Sequence, residues 1–216
     1  MNRVDFIAPP GAGKTTITTA IAENYYNIIL QDEIEVDENT KKRFQNNEFI
    51  YFAKSLSDKQ YKTNDQFSDS FINGMIMLEL KSEVVKTINS ESVVLFDESL
   101  SQRWLSLMLR SRRVRRHASV HYDLMSRPDL IIYIRADSET ILSRIKHRDK
   151  VIALHRNKTE KEVLSMTNKS NRLCRKFVRK MQRENIQVLV LDGVKPIEDS
   201  VENIGKFLNA SLPNAT

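Results

Sequence analysis

The 216-residue chain is 40% hydrophobic and 29% charged, with a formal net charge of +6. That balance excludes a disordered segment and fits one buried α/β domain. A single cysteine excludes an intramolecular disulfide, and no apolar run approaches the ~20 residues of a membrane span. No signal-peptide pattern precedes the first apolar run, so the cytoplasm is the expected compartment.

The first predicted element is a buried strand, Val4–Ile7. Behind it stands Ala8-Pro9-Pro10-Gly11-Ala12-Gly13-Lys14-Thr15, then Thr16. The segment is one residue short of a full phosphate-loop motif, because Ala8 occupies the first glycine's place. Glycines let backbone N–H groups close around phosphate oxygens. The Lys14 ammonium suits β and γ phosphates, and the Thr15 hydroxyl suits Mg²⁺. Thr15–Tyr26 is predicted helical, its positive end facing the anion. A weak strand follows at Asn27–Leu30. Asp37–Phe67 is polar and poorly patterned, and is expected to supply helices or a flap over an acceptor.

Ser68–Ile88 repeats apolar residues at helical spacing. Val93–Phe96 is a second buried strand and runs into Asp97-Glu98-Ser99. A carboxylate at the carboxyl end of a parallel strand lies at the ligand edge of its sheet. Asp97 there suits Mg²⁺ or the proton of an acceptor hydroxyl. Glu98 suits activation of a water; the bland alternative is that Asp97 or Ser99 caps the next helix. That helix is predicted over Ser101–His117, with Trp104 as a core or pocket residue and Arg110, Arg112, Arg113, Arg115 and Arg116 at its end. These cations suit an acidic substrate or simply a helix terminus.

Leu130–Ile134 is the next buried strand. Asp137 or Ser138 caps a short helix, Ser138–His147, and at its end Arg144 and Arg148, four apart, are expected to share one face. That pair suits neutralising charge during phosphoryl transfer. Thr159–Arg183 is a long amphipathic helix. Its cations, Arg172 to Arg183, read as mainly a solvated face, and Cys174 as a packing residue. Asn157-Lys158-Thr159-Glu160 resembles a guanine-selecting motif but reads as a helix cap, and the histidines lack zinc spacing. Val188–Leu191 is the last strand and Pro196–Leu208 the last helix. Charge is unevenly spread. Residues 101–187 hold 22 Lys/Arg and 8 Asp/Glu; the remainder holds 12 and 20.

Alternating strands and helices imply right-handed crossovers and a parallel sheet. The chain reads as one domain over residues 1–208, with a lid near 144–158 and a tail at 209–216. The order of features resembles the phosphate-loop small-molecule kinases, especially the thymidylate and deoxynucleoside kinases. The resemblance rests on Ala8–Thr15, on Asp97 with Ser99, on Pro128-Asp129 leading into Leu130–Ile134, on Arg144-Ile145-Lys146-His147-Arg148, and on Asp192-Gly193. It implies a three-layer α/β P-loop NTPase fold with a five-stranded parallel sheet in order 2-3-1-4-5. It implies ATP and Mg²⁺ as cofactors, a small-molecule acceptor, and a catalytic role for Lys14, Asp97, Arg144 and Arg148. Residues Pro10 to Thr16 hold the nucleotide, and Thr15 and Asp97 the metal. One departure stands out: Glu98 replaces the family's arginine, which usually engages the acceptor. Arg103, one helical turn on, is the expected substitute. Two rivals remain at this level: an ATPase or switch hydrolysing through Asp97-Glu98, and a polynucleotide-end kinase. Nucleic acid is a less favoured partner than a small molecule, and a homodimer is compatible with the reading.

Overall fold

In the computed structural model, residues 2–56, 69–88, 92–111, 114–115, 122–147 and 158–211 are described. Strands β1 (Asn2–Ile7), β2 (Ile28–Leu30), β3 (Val93–Phe96), β4 (Leu130–Arg135) and β5 (Gln187–Asp192) alternate with helices. These are α1 (Lys14–Asn24), α2 (Glu38–Arg43), α3 (Glu48–Ser55), α4 (Asp69–Val85), α5 (Leu100–Arg110), α6 (Ser138–Lys146), α7 (Glu160–Arg183) and α8 (Ile197–Ser211). The strands form one five-stranded sheet in order β2-β3-β1-β4-β5. Every pairing is parallel. This is the expected α/β arrangement.

The sheet separates two cores. Alternate residues along a strand point to opposite faces. Ile131 and Tyr133 of β4 therefore pack with Phe49, Trp104 and Phe177 beneath α3, α5 and α7. Leu130, Ile132 and Ile134 pack with Ile17, Ile141 and Ile204 beneath α1, α6 and α8. β1, β3 and β4 are buried almost throughout, whereas the edge strands β2 and β5 are half-covered. Continuous apolar runs in the central strands follow from having helices on both faces. Trp104 and Cys174 are both core residues. Burial pushes the Cys174 thiol up to about 12, which leaves it inert.

Several boundaries differ from expectation, each for a local reason. The helix predicted over Ser101–His117 ends at Arg110. Ser111 leaves helical conformation at φ −114°, ψ 119°, and its hydroxyl accepts the Val114 N–H at 3.2 Å. A serine side chain offers the backbone a hydrogen bond that competes with the helical one. The last helix runs to Ser211, so residues 209–211 are helical rather than tail. Within the weakly patterned region, Asp37 and Asn47 cap α2 and α3 through side-chain bonds to Thr40 and Phe49 amides. Phe49 and Phe52 of α3 then enter the core. Thr159 and Glu162 form a reciprocal capping box on α7, which accounts for the motif-like stretch at that position. No described helix is long and apolar enough to cross a membrane.

Candidate active site

The loop between β1 and α1 owes its shape to two glycines. Gly11 and Gly13 have φ of 97° and 100°, a region that L side chains rarely enter. Gly13 is also the residue before α1, so the helix opens without a side-chain cap. Its first-turn N–H groups are left for an anion. Ala12 N–H donates to the Pro9 carbonyl at 3.2 Å and closes the turn. A Cβ on Gly11 would come within 3.1 Å of the Ile141 side chain, so α6 packs directly on the loop. Ala8, at the missing glycine's position, is fully buried. Its N–H donates to Oε1 of Gln102 in α5 at 3.0 Å.

Asp97 follows β3, the strand next to β1. Its Oδ2 accepts the Thr15 hydroxyl at 3.3 Å. The helix cap that competed for Asp97 belongs to Ser99, whose hydroxyl accepts the Gln102 N–H at 3.1 Å. Asp97 is therefore released from capping and faces the loop. The start of α5 is tied to β1 at further points. Ser99 Oγ donates to the Phe6 carbonyl at 3.4 Å, and Ser101 Oγ donates to Asp5 Oδ2 at 2.6 Å. Asp5 is itself buried against Arg3, with Nε to Oδ1 at 2.8 Å.

Arg144 reaches the loop from α6. Its Nη1 donates to the Ala12 carbonyl at 3.3 Å and its Nη2 to the Gly193 carbonyl at 2.7 Å. It thus bridges the phosphate loop and the β5–α8 turn. A Cβ on Gly193 would meet the Ile134 side chain at 2.9 Å and the Arg135 carbonyl at 3.1 Å, so this approach requires glycine. Asp137 caps α6 by accepting the Glu139 and Thr140 N–H groups at 3.0 and 2.8 Å. The Thr140 hydroxyl and N–H hold its carboxyl below the usual range. Arg148, with residues 149–157 of the expected lid, lies outside the described residues.

Glu98 and Arg103 are brought together as an ion pair, Nη2 to Oε2 at 2.8 Å. The Arg103 guanidinium also lies 5.1 Å from the centre of the Phe71 ring on α4. An arginine on an aromatic face is held by the ring quadrupole. The structure thus joins Lys14, Thr15, Thr16, Asp97 and Arg144 at one edge, with Glu98 and Arg103 beside them. Sequence reasoning missed the roles of Gln102 and Phe71, which no motif marks, and the bond of Arg144 to the carbonyl of Gly193, which was read only as part of a strand-end Asp-Gly. Asp32 and Glu33 lie in a one-turn helix directly after β2, where Glu33 Oε1 accepts the Leu30 N–H at 2.8 Å.

Residues available for a divalent cation fit a magnesium ion. Thr15 and Asp97 supply hard oxygen donors side by side. Among the described residues no cluster of three or more His, Cys, Asp or Glu side chains could hold a metal. A magnesium held by one or two protein groups and by substrate phosphates needs no such cluster.

A parallel sheet in this order, a phosphate loop between β1 and α1, and an acid at the end of β3 define a P-loop kinase. The family is more specific. Residues 9–210 match the deoxynucleoside kinase family model, and the chain belongs to that family. A curated relative, the thymidylate kinase of Blochmanniella floridana, is 26% identical over 211 residues, covering 94% of this chain and 92% of the relative. Among solved structures, the deoxyadenosine kinase from M. mycoides with products dCMP and a flexible dCDP bound shares the fold at a TM-score of 0.62 and 18% identity. That alignment covers 96% of this chain and 99% of the other. The same enzyme with bound dATP gives 0.54 and 20%, covering 97% and 100%. The chain is an enzyme, a kinase that transfers a phosphoryl group to a nucleoside or nucleotide.

Proposed function

We propose that this kinase transfers the γ-phosphoryl group of ATP to the hydroxyl of a deoxynucleoside, with Mg²⁺. The observation that carries the donor half is the 3.3 Å contact between Thr15 and Asp97, which faces a magnesium-binding hydroxyl with a strand-end carboxylate. Lys14 and the loop amides position the phosphates, and Arg144 neutralises charge developing on the transferred group. Thr15 and Asp97 would hold the cation, which would supply positive charge to the phosphates. Asp97 serves either the cation or the proton of the acceptor hydroxyl, and its bond to Thr15 favours the first. Arg148, four residues after Arg144 in the sequence, is proposed to act beside it.

The acceptor edge favours a nucleoside over a nucleoside monophosphate. A monophosphate brings two negative charges and needs cations to receive them. Here Arg103 is already committed to Glu98, so the pair offers little net positive charge. Glu98 in place of the family's arginine is then matched by Arg103 rather than left as an isolated acid.

A panel of the four deoxynucleosides and four deoxynucleoside monophosphates, incubated with ATP and magnesium and resolved by chromatography, tests the reading. Monophosphate products from nucleosides are expected. Diphosphate products alone would instead support the thymidylate-kinase reading, which the 26% identical relative favours. ATP turnover equally fast without acceptor would support the ATPase reading. We further propose that the protein works in the cytoplasm, on the strength of its single, buried cysteine.

A further inference from the structure

The polar face of α7 is not occupied by the chemistry above. On the sheet face opposite α1, helices α5 and α7 with Arg115 bound a cavity of about 860 Å³. Arg115 stands on one wall, and Arg172, Lys176, Arg179 and Arg183 on the other, with no carboxylate among the described lining residues. Some surface lysines elsewhere pair locally, as Lys41 does with Glu38 and Lys206 with Glu202. Lys180, also at the cavity, is matched by Asp123 and Glu184 at 3.6 and 3.5 Å. Arg172, Lys176, Arg179 and Arg183 make no ion pair with a described residue. Nε of Arg115 is buried without a hydrogen-bond partner.

The spacing identifies the ligand class. The four α7 cations recur at i, i+4, i+7 and i+11, so they lie along one face over about 16 Å. A point-like anion such as a triphosphate would engage only part of that length. A nucleic-acid strand advances about 3.4 Å per phosphate and would present roughly five phosphates over the same distance. The cavity floor sharpens the assignment. Trp104, Tyr122 and Phe177 are 1%, 2% and 5% exposed, so their rings are not platforms for stacked bases. Recognition is left to phosphates alone, without sequence preference. We propose that the α5–α7 cavity is a second binding site, for a nucleic-acid backbone, separate from the kinase centre.

Fluorescence anisotropy with labelled single strands of about 20 nucleotides, in two unrelated sequences, tests this from roughly 50 to 200 mM salt. Both strands are expected to bind alike. Four phosphate contacts give a slope of log K against log salt of about −3. The triple variant Arg172→Ala/Arg179→Ala/Arg183→Ala changes exposed residues. It is expected to bind at least about tenfold more weakly with a slope near −1, at unchanged kinase turnover and melting temperature. Lys14→Ala is expected to leave strand binding intact. No binding at the low-salt end, equal binding by the triple variant, or retention on phosphatidylserine vesicles but not on the strands would each overturn the proposal.

Discussion

Gln102 holds the amide of Ala8: its side-chain oxygen accepts that buried N–H at 3.0 Å, across 94 residues of sequence. The bond fixes the point where β1 becomes the phosphate loop. It originates from the same helix that carries Arg103, so α5 touches both the donor loop and the acceptor side. Removing Gln102 leaves a buried donor unsatisfied, which costs about 1–3 kcal/mol. Gln102→Ala is therefore expected to lower stability in chemical denaturation by about that amount. It should raise KM for ATP more than KM for the acceptor.

Lys14 is the residue whose loss is expected to separate chemistry from folding. It lies at the start of α1 and is only partly buried. Lys14→Ala is expected to reduce turnover by about a thousandfold or more, as loss of a charge stabiliser in phosphoryl transfer does. The melting temperature should move by little. Full turnover by this variant would remove the proposed mechanism.

Gly11 tests the loop's backbone. An alanine there meets two penalties, a left-handed φ of 97° and a Cβ within 3.1 Å of Ile141. The conformational part alone costs about 1–2 kcal/mol. Gly11→Ala should destabilise the protein by at least that much and weaken ATP binding.

Glu98 and Arg103 should behave as a coupled pair. Both are partly exposed, so their contribution to stability is small, about 0.2–1 kcal/mol. Their effect on the acceptor is expected to be larger. Glu98→Gln frees the Arg103 guanidinium and should raise activity towards nucleoside monophosphates relative to nucleosides. The ratio of kcat/KM values for the two acceptor classes measures it. An unchanged ratio would separate the pair from acceptor choice.

Glu79 gives a pH signature. It is buried on α4 and receives the Ser126 N–H at 3.1 Å and hydroxyl at 2.8 Å. Burial raises its carboxyl above the ordinary value of 4.5 despite those bonds and nearby Arg3. The folded protein thus binds the proton more tightly than the unfolded chain. That stabilisation is complete below 4.5 and is lost as pH rises through the raised folded value. Glu79→Gln, which cannot ionise, should flatten the fall in melting temperature across that window. An identical pH profile for the variant would exclude Glu79 as its source.

The fold and the donor half of the site were legible because they are local in sequence. Val4–Ile7 followed by Gly11-Ala12-Gly13-Lys14-Thr15 is contiguous, and each residue type has one physical task there. Apolar runs at Val93–Phe96 and Leu130–Ile134 announced strands covered on both faces, which alternation with helices then made parallel. Order along the chain placed Asp97 at the ligand edge. It could not say whether Asp97 or Ser99 capped α5, since both are good caps one turn from the helix.

Tertiary structure decided the rest. Ser99 took the cap and left Asp97 to Thr15, a choice that depends on β1 and β3 lying side by side. Glu98, unreadable as a lone substitution, acquired meaning once Arg103 closed on it above Phe71. The cations of α7 read as a solvated face in one dimension. They became one wall of a cavity only when α5 and Arg115 were placed opposite them. The physical reason is common to all three. A motif records which residues are neighbours along the chain, whereas charge pairing and enclosure depend on neighbours in space.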